Sequence, residues 1–271
     1  MKSFRVLIVA MSIVALCAVA GVAEDKEQSF KAKLEGWLPG LSKEKIPERR
    51  DSQQKLQQLC FELGTPGREA QRTEACKVMA ETLGTKLAKP ARIWLLKQLE
   101  YIGGEECVDA VARSLDDSDQ QVRDAARRAL ANIPAAQANA KLLAKLGKSS
   151  GSFRVGLINA LGYRADAASV AALAGLLGDK DKAAVEAAAN ALGKIGGPQA
   201  TAALKAAYGK ASPATKVPVG DAYLRCADKL LKQGKTDAAM VIYGELSSAD
   251  SPKVIRMAAL RGKLKAAGKA D

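Results

Sequence analysis

The residues able to do chemistry in this 271-residue chain are few, and their spacing points away from catalysis. Histidine is absent, which removes the commonest general base and the commonest transition-metal ligand together. Beyond Cys17, which stands in an apolar N-terminal run, the cysteines are Cys60, Cys76, Cys107 and Cys226. None of them forms the C-x-x-C spacing of a zinc or redox site. An even set of four in an exported chain invites a disulfide framework. Cys60 and Cys76, however, fall on neighbouring helices at different depths from the joining turn, and Cys107 and Cys226 lie far apart along the chain. The expectation is four buried thiols acting as small hydrophobes. The glycine clusters Gly103-Gly104 and Gly196-Gly197-Pro198 lack the lysine and strand context of a phosphate loop. The acid pairs Glu105-Glu106 and Asp116-Asp117 fall at helix ends, where carboxylates cap a helix or complement its dipole. The chain therefore reads as non-enzymatic, with no catalytic, cofactor-binding or metal-binding residue expected.

The elements that position these residues come from a repeat. Leu99, Leu130, Leu161 and Leu192 are spaced by a constant 31 residues. Val111, Leu142, Leu173 and Leu204 keep the same step, as do Leu115, Leu146, Leu177 and Tyr208. A period between about 20 and 50 residues is the signature of a solenoid or related array. In its clearest copy, Leu177 to Tyr208, two alanine-rich amphipathic helices meet at Gly196-Gly197-Pro198. The composition agrees, because 48% of residues are apolar while only 4% are aromatic. A core of Ala and Leu suits helices packed closely and repeatedly along one axis. Nothing alternates with the two-residue period of a strand. The expected fold is all-α: a right-handed α-solenoid of short, 31-residue helical hairpins with helical caps at both ends.

Five stretches follow. Residues 1–23 carry Lys2 and Arg5, an apolar run from Val6 to Ala23, and small-residue exits at Ala18-Val19-Ala20 and Gly21-Val22-Ala23, the grammar of a signal peptide. An uncleaved anchor is the alternative, since the run reaches the short edge of a membrane span. Lipidation at Cys17 is disfavoured by the bulk of Leu16. Residues 24–50, with Trp37-Leu38-Pro39, read as a linker or N-terminal arm. Residues 51–88 read as a capping hairpin, with Asp51 as N-cap, Gly64 and Gly84 as helix ends, and Pro66-Gly67 between. Residues 89–211 form the regular array, starting at Pro90, with Asp119, Ser150 and Asp181 placed to cap successive helices. Residues 212–271 form a C-terminal cap ending in a basic helix, Pro252 to Ala267.

The segments LDDSDQQVRDAARRALANI (Leu115 to Ile133) and LGDKDKAAVEAAANALGKIGG (Leu177 to Gly197) carry a family resemblance. With Asp119, Val122 and Arg123 at the start and Ala160-Leu161-Gly162 or Ala191-Leu192-Gly193 at the end, they resemble bacterial HEAT-like repeats of the phycobiliprotein-lyase type. The resemblance covers about 120 residues and implies a binding scaffold rather than a reaction. It also implies that the leucine-bearing helices line a concave face. Helical-repeat iron hydroxylases, similar in fold, need His-Glu ligands that this chain cannot supply. Bilin attachment has no support in an exported chain. Tyr223, Ala227, Leu230, Gly234, Ala239 and Tyr243 are similar in spacing to one tetratricopeptide-like helix pair, with departures at Cys226 and Leu246.

Helical periodicity then selects candidate contact residues. At 100° per residue, Val122, Ala126, Ala129, Leu130 and Ile133 face inward, and positions 124, 128 and 132 face out. Carried through the copies, this gives two ladders: Lys97, Arg128, Asn159 and Asn190, and Tyr101, Asn132, Tyr163 and Lys194. Tyr and Arg are favoured at protein interfaces, so an unidentified protein is the expected partner. Charge supplies the alternative. The chain is +13, with 42 basic and 29 acidic residues, and loss of Lys2 and Arg5 with the leader leaves +11. Arg123, Arg127, Arg128, Lys141, Lys145, Lys148, Arg154 and Arg164 stand against Asp124 alone between positions 123 and 164. These basic middle repeats suit an anionic lipid or acidic glycan of the envelope. Export to the periplasm or cell envelope makes nucleic acid the least natural partner.

Overall fold

The computed structural model describes residues 29–268. The expected leader, its expected cleavage sites and Cys17 lie outside them. The described residues fold into fourteen α-helices, with short 3₁₀ turns and no strand among them. They are α1 (Phe30–Leu41), α2 (Ile46–Leu63), α3 (Glu69–Leu83), α4 (Lys89–Ile102), α5 (Val108–Arg113), α6 (Gln120–Asn132) and α7 (Ala136–Leu146). The chain continues as α8 (Gly151–Arg164), α9 (Val170–Gly175), α10 (Lys182–Ile195), α11 (Gly197–Lys210), α12 (Pro213–Lys232), α13 (Thr236–Leu246) and α14 (Lys253–Ala266). The architecture is an α-solenoid. Its spine is the stack α4, α6, α8, α10 and α12, each helix packed on the next. The intervening α5, α7, α9 and α11 form the second layer.

All four recurring leucines, Leu99, Leu130, Leu161 and Leu192, are fully buried. So are Val111, Leu142, Leu173 and Leu204 in the second layer. Small residues let the spine close up. A Cβ on Gly162 would stand 2.6 Å from the Ala191 Cβ, and one on Gly193 would stand 3.0 Å from the Ala222 carbonyl oxygen. The Ala–Leu–Gly endings of α8 and α10 thus place a bare backbone against the alanine 29 positions further on (162 to 191, 193 to 222) in the next spine helix. This is the close approach that an alanine-rich core permits.

Polar groups on the loops repeat with the same step. Asp119 caps α6 by accepting from the Gln121 and Val122 amides, and Asp181 caps α10 by accepting from Ala183. One position type behind them, the Asp117 and Asp179 carboxylates accept from the amides of Asp119 and Asp181. They also pair with Arg92 and Arg154 in the preceding spine helix. The third expected cap fails: the Ser150 side chain makes no capping bond to α8. Gly151 just after it holds a positive φ of 59°, and the neighbouring Ser149 hydroxyl donates to the Lys145 carbonyl at the end of α7.

Two N-terminal expectations are corrected. Residues 30–41, expected within a linker or N-terminal arm, are instead a packed helix, because Leu34 and Leu41 bury completely and seat α1 across α2, α3 and α4. Ser29 caps that helix through the Ala32 amide. The next helix starts at Ile46 rather than after Asp51, with Pro47 in its first turn. Proline is favoured there because its missing N–H and fixed φ suit the first turn. Asp51 sits inside α2 and pairs with Lys55 one turn on at 2.7 Å.

At the other end, α12 continues the spine while also packing on α13 and α14. Tyr223, Ala227, Ala239 and Tyr243 are buried, and Gly234 turns the chain with φ 75°. The phenol of Tyr243 donates to Asp228 at 2.6 Å and that of Tyr223 to Glu245 at 2.9 Å. The basic last helix falls where the sequence places it, with Pro252 and Ala267 as its caps.

Candidate interaction face of the spine helices

The two ladders are carried by four consecutive spine helices: Lys97 and Tyr101 by α4, Arg128 and Asn132 by α6, Asn159 and Tyr163 by α8, Asn190 and Lys194 by α10. None is buried. Tyr101 and Tyr163 are 68% and 63% exposed, an unusual position for aromatic rings without a partner. The inward set derived from periodicity, Val122, Ala126, Ala129, Leu130 and Ile133, is at most 1% exposed. Seated on that core, the ladder side chains share the outward side of the spine.

Several ladder groups already have intramolecular partners. Arg128 lies 3.8 Å from the Glu100 carboxylate, and the Asn132 amide donates to Glu100 and to the Arg128 carbonyl. Asn190 accepts from Arg225 of α12 at 2.7 Å, and Arg225 also pairs with Asp221. The Lys97 ammonium sits 4.6 Å from the centre of the Trp94 ring. Asn159, Tyr101, Tyr163 and Lys194 make the face's uncommitted polar surface among the described residues. Glu100, Trp94 and Arg225 were missed by the sequence reading. Trp94 had a signal, because its register equivalents Ala125, Gly156 and Ala187 are all small. Trp94 borders a cleft of about 530 Å³ with Ile46, Pro90, Ile93 and Lys97.

The basic residues of the middle repeats are distributed differently from their sequence count. Lys141 pairs with Asp109 at 2.8 Å, Lys145 with Asp116 and Arg154 with Asp179 at 2.7 Å. Arg127 reaches Asp124 and the Gly156 carbonyl. Arg123 donates to the carbonyls of Asp117 and Ser118, over the Phe153 ring. Arg164 closes the end of α6 by donating to the carbonyls of Leu130, Ile133 and Ala135. Those orphan carbonyls attract cations at a helix C-terminus. Apart from Asp124, the acids that neutralise these cations, Asp109, Asp116 and Asp179, lie outside residues 123–164.

Chemistry at the thiols is suppressed by burial. Cys60, Cys76, Cys107 and Cys226 are buried and free. Burial pushes the Cys60 thiol up to about 12 and the Cys107 thiol to about 11, and raises Cys76 and Cys226 as well. Neutral thiols are poor nucleophiles and poor ligands. Among the described residues, no group of three or more Cys, Asp or Glu is arranged to hold a metal ion.

With this geometry in view, comparison with known proteins agrees on the repeat. A family model of HEAT repeats matches residues 139–216, from within α7 to the start of α12. The chain is a helical-repeat protein. No curated protein matches it in sequence. Similar solved structures include a designed armadillo repeat protein, 17% identical with a TM-score of 0.41, covering 86% of this chain and 99% of the other. A second designed armadillo repeat protein, in complex with the peptide (KR)4, is 16% identical with a TM-score of 0.42 over 86% and 98% of the two chains. Human deoxyhypusine hydroxylase in complex with glycerol is 16% identical with a TM-score of 0.35 over 73% and 96%.

Proposed function

We propose that the protein is an exported, non-enzymatic interaction scaffold that binds a protein partner along the ladder face of its spine helices. The observation that carries this reading is the pair of exposed rings, Tyr101 and Tyr163, set two repeats apart with Arg128 and Asn159 between them. Tyrosine offers a large, rigid contact area with a polar tip, and a few Tyr and Arg residues tend to dominate interface energies. Spine helices line the concave side in HEAT-like arrays, and extended concave surfaces are the usual binding face of solenoids. The bacterial HEAT-like resemblance and the leader-like N-terminus support a site of action in the periplasm or cell envelope. The alternative, anionic lipid or acidic glycan held by the middle repeats, is weakened by the ion pairs and carbonyl contacts that engage most of those cations.

The test is capture of a partner from envelope extract by the wild-type protein and by the triple variant Arg128→Ala, Asn159→Ala, Tyr163→Ala. These side chains are exposed, so helicity and melting should hold, with shifts of about 0.5 kcal/mol or less for each. Capture should drop at least about tenfold. A control, Lys141→Ala with Lys145→Ala, removes two inter-repeat ion pairs of the second layer. Normal capture by the triple variant, with loss in the lysine pair, would move the site to the second layer. The same preparation reports export: an N-terminus near Gly21 or Glu24 marks a cleaved leader, whereas intact Met1 in the membrane pellet marks an anchor.

A further inference from the structure

The last helix of the described chain is apolar on two sides. On one side, Ile255 and Ala259 are buried, and Gly262 lies flat against the Tyr243 ring, where a Cβ would collide with the phenol. That contact, with Ile255 also against Gly220 of α12, fixes which side of α14 faces the solenoid. On the opposite side stand Val254, Met257, Leu260 and Leu264, all exposed, with Met257 at 56% and Leu264 at 50%. At 100° per residue these four fall within one third of the circumference. Single exposed aliphatics are ordinary, but an aligned set on a terminal helix is a contact surface.

The charges on this helix are equally one-sided. Residues 253–266 contain Lys253, Arg256, Arg261, Lys263 and Lys265 and no acid. By the same helical projection, Arg256 and Lys263 flank the aliphatic stripe on one side and Lys265 on the other, while Lys253 and Arg261 fall within its arc. Arg256 donates to the Ala249 carbonyl at 3.0 Å, and no acidic partner is present for the others among the described residues. Most of the middle-repeat cations are tied to acids or carbonyls of the solenoid. This cluster is not.

We propose that the outer face of α14 docks on an anionic lipid membrane surface. An aliphatic stripe bordered by cations on both sides matches the layering of a bilayer interface. The stripe enters the acyl boundary, and the Lys and Arg heads extend sideways to the phosphates. Charge decides among occupants. A second copy docking through the same helix would set five cations against five. A 14-residue helix is too short to cross a bilayer, and no described helix is long and apolar enough to do so. The helix therefore lies in the interface. This surface is distinct from the tyrosine ladder, so each can fail without the other.

The experiment is hydrogen–deuterium exchange on the full chain, with vesicles of phosphatidylcholine alone or with phosphatidylglycerol added. Amides of 253–266 should slow with the anionic vesicles, stay unchanged with phosphatidylcholine alone, and lose protection as salt is raised. The variant Met257→Glu with Leu264→Glu should keep its melting temperature, since both side chains are exposed. It should partition about tenfold more weakly onto anionic vesicles. Because the readout is local, binding through the N-terminal apolar run does not imitate it. Sedimentation with vesicles while 253–266 exchange at the lipid-free rate would overturn the proposal. So would protection that rises with protein concentration in the absence of lipid, which would make the occupant a second copy. If the double variant fails to fold, the wild-type exchange pattern still decides.

Discussion

At the scale of single residues, the repeat shows where one copy departs from the others. Gly103, Pro134, Ala165 and Gly196 occupy the same register position, just past each spine helix. Two of them turn the chain through positive φ: Gly196 at 69° and Ala165 at 52°. Ala165 is the described residue other than glycine with a positive φ. Left-handed backbone costs an alanine about 1 kcal/mol, because its Cβ crowds the following carbonyl. Ala165→Gly should therefore raise stability, by about 0.5 kcal/mol once the looser unfolded chain of glycine is counted. A thermal melt checks this, and a lower melting temperature would mean that Ala165 is not held left-handed in solution. The strain was not legible in the sequence, where Ala165 looks like any alanine among many. The leucine columns were legible, since burial of Leu99, Leu130, Leu161 and Leu192 follows from periodicity alone. Glu100 and Arg225 were not, because their role depends on side chains reaching across to Arg128 and Asn190 from adjacent helices.

At the scale of elements, the seams between spine helices depend on residues chosen for what they lack. Gly162 of α8 faces Ala191 of α10, and Gly193 of α10 faces Ala222 of α12. Ala191→Leu would push a branched side chain into the Gly162 backbone, where even one added methyl has no room. The expected cost is about 1–3 kcal/mol, the usual range for overpacking a well-filled core. An unchanged melting temperature would contradict the register. The seam was readable as a column of small residues beside the leucines, and the N-terminal elements were not. Residues 30–41 look turn-rich because of Gly36, Pro39 and Gly40, yet Leu34 and Leu41 find a buried seat across three helices. Burial of a few large side chains outweighed poor local propensity, which remains a weak guide wherever tertiary contacts are available. The opposite holds for α14. Its basic character and both of its ends were legible, but that it is apolar on two sides, and which of them faces outward, became visible only from the seating of Gly262 on Tyr243.

The whole molecule's response to pH follows from its lack of histidine and from two sets of shifted groups. On the acid side, Asp109, Asp119 and Asp179 are held below the usual carboxylate range by side-chain bonds from Lys141, Lys89 and Arg154 respectively. A depressed folded value means that the fold prefers the ionised form. That contribution is present above the ordinary value of 3.8 and is lost as pH falls below it. On the alkaline side, burial raises all four thiols above their ordinary 9.0, with Cys107 at about 11 and Cys60 at about 12. Burial, followed by Glu245 and Asp228, also raises Tyr223 and Tyr243 above 10.0. A raised folded value means that the fold prefers the neutral form. Stability is therefore full below 9.0 and declines as pH climbs toward about 12, because the unfolded chain ionises first. Between these limits no side chain of ordinary pKa titrates, since histidine is the residue that would. The melting temperature should accordingly be flat from about pH 5 to 8 and fall on both sides. Differential scanning calorimetry across this range checks it. Replacing the four buried cysteines by alanine should lower the plateau through lost packing. It should also delay the alkaline fall until the tyrosines titrate above 10.0. A step near pH 6.5 would require a buried carboxylate that none of the spine, cap or ladder contacts provides, and a cysteine-free variant with an unchanged alkaline limb would assign that limb to the tyrosines alone.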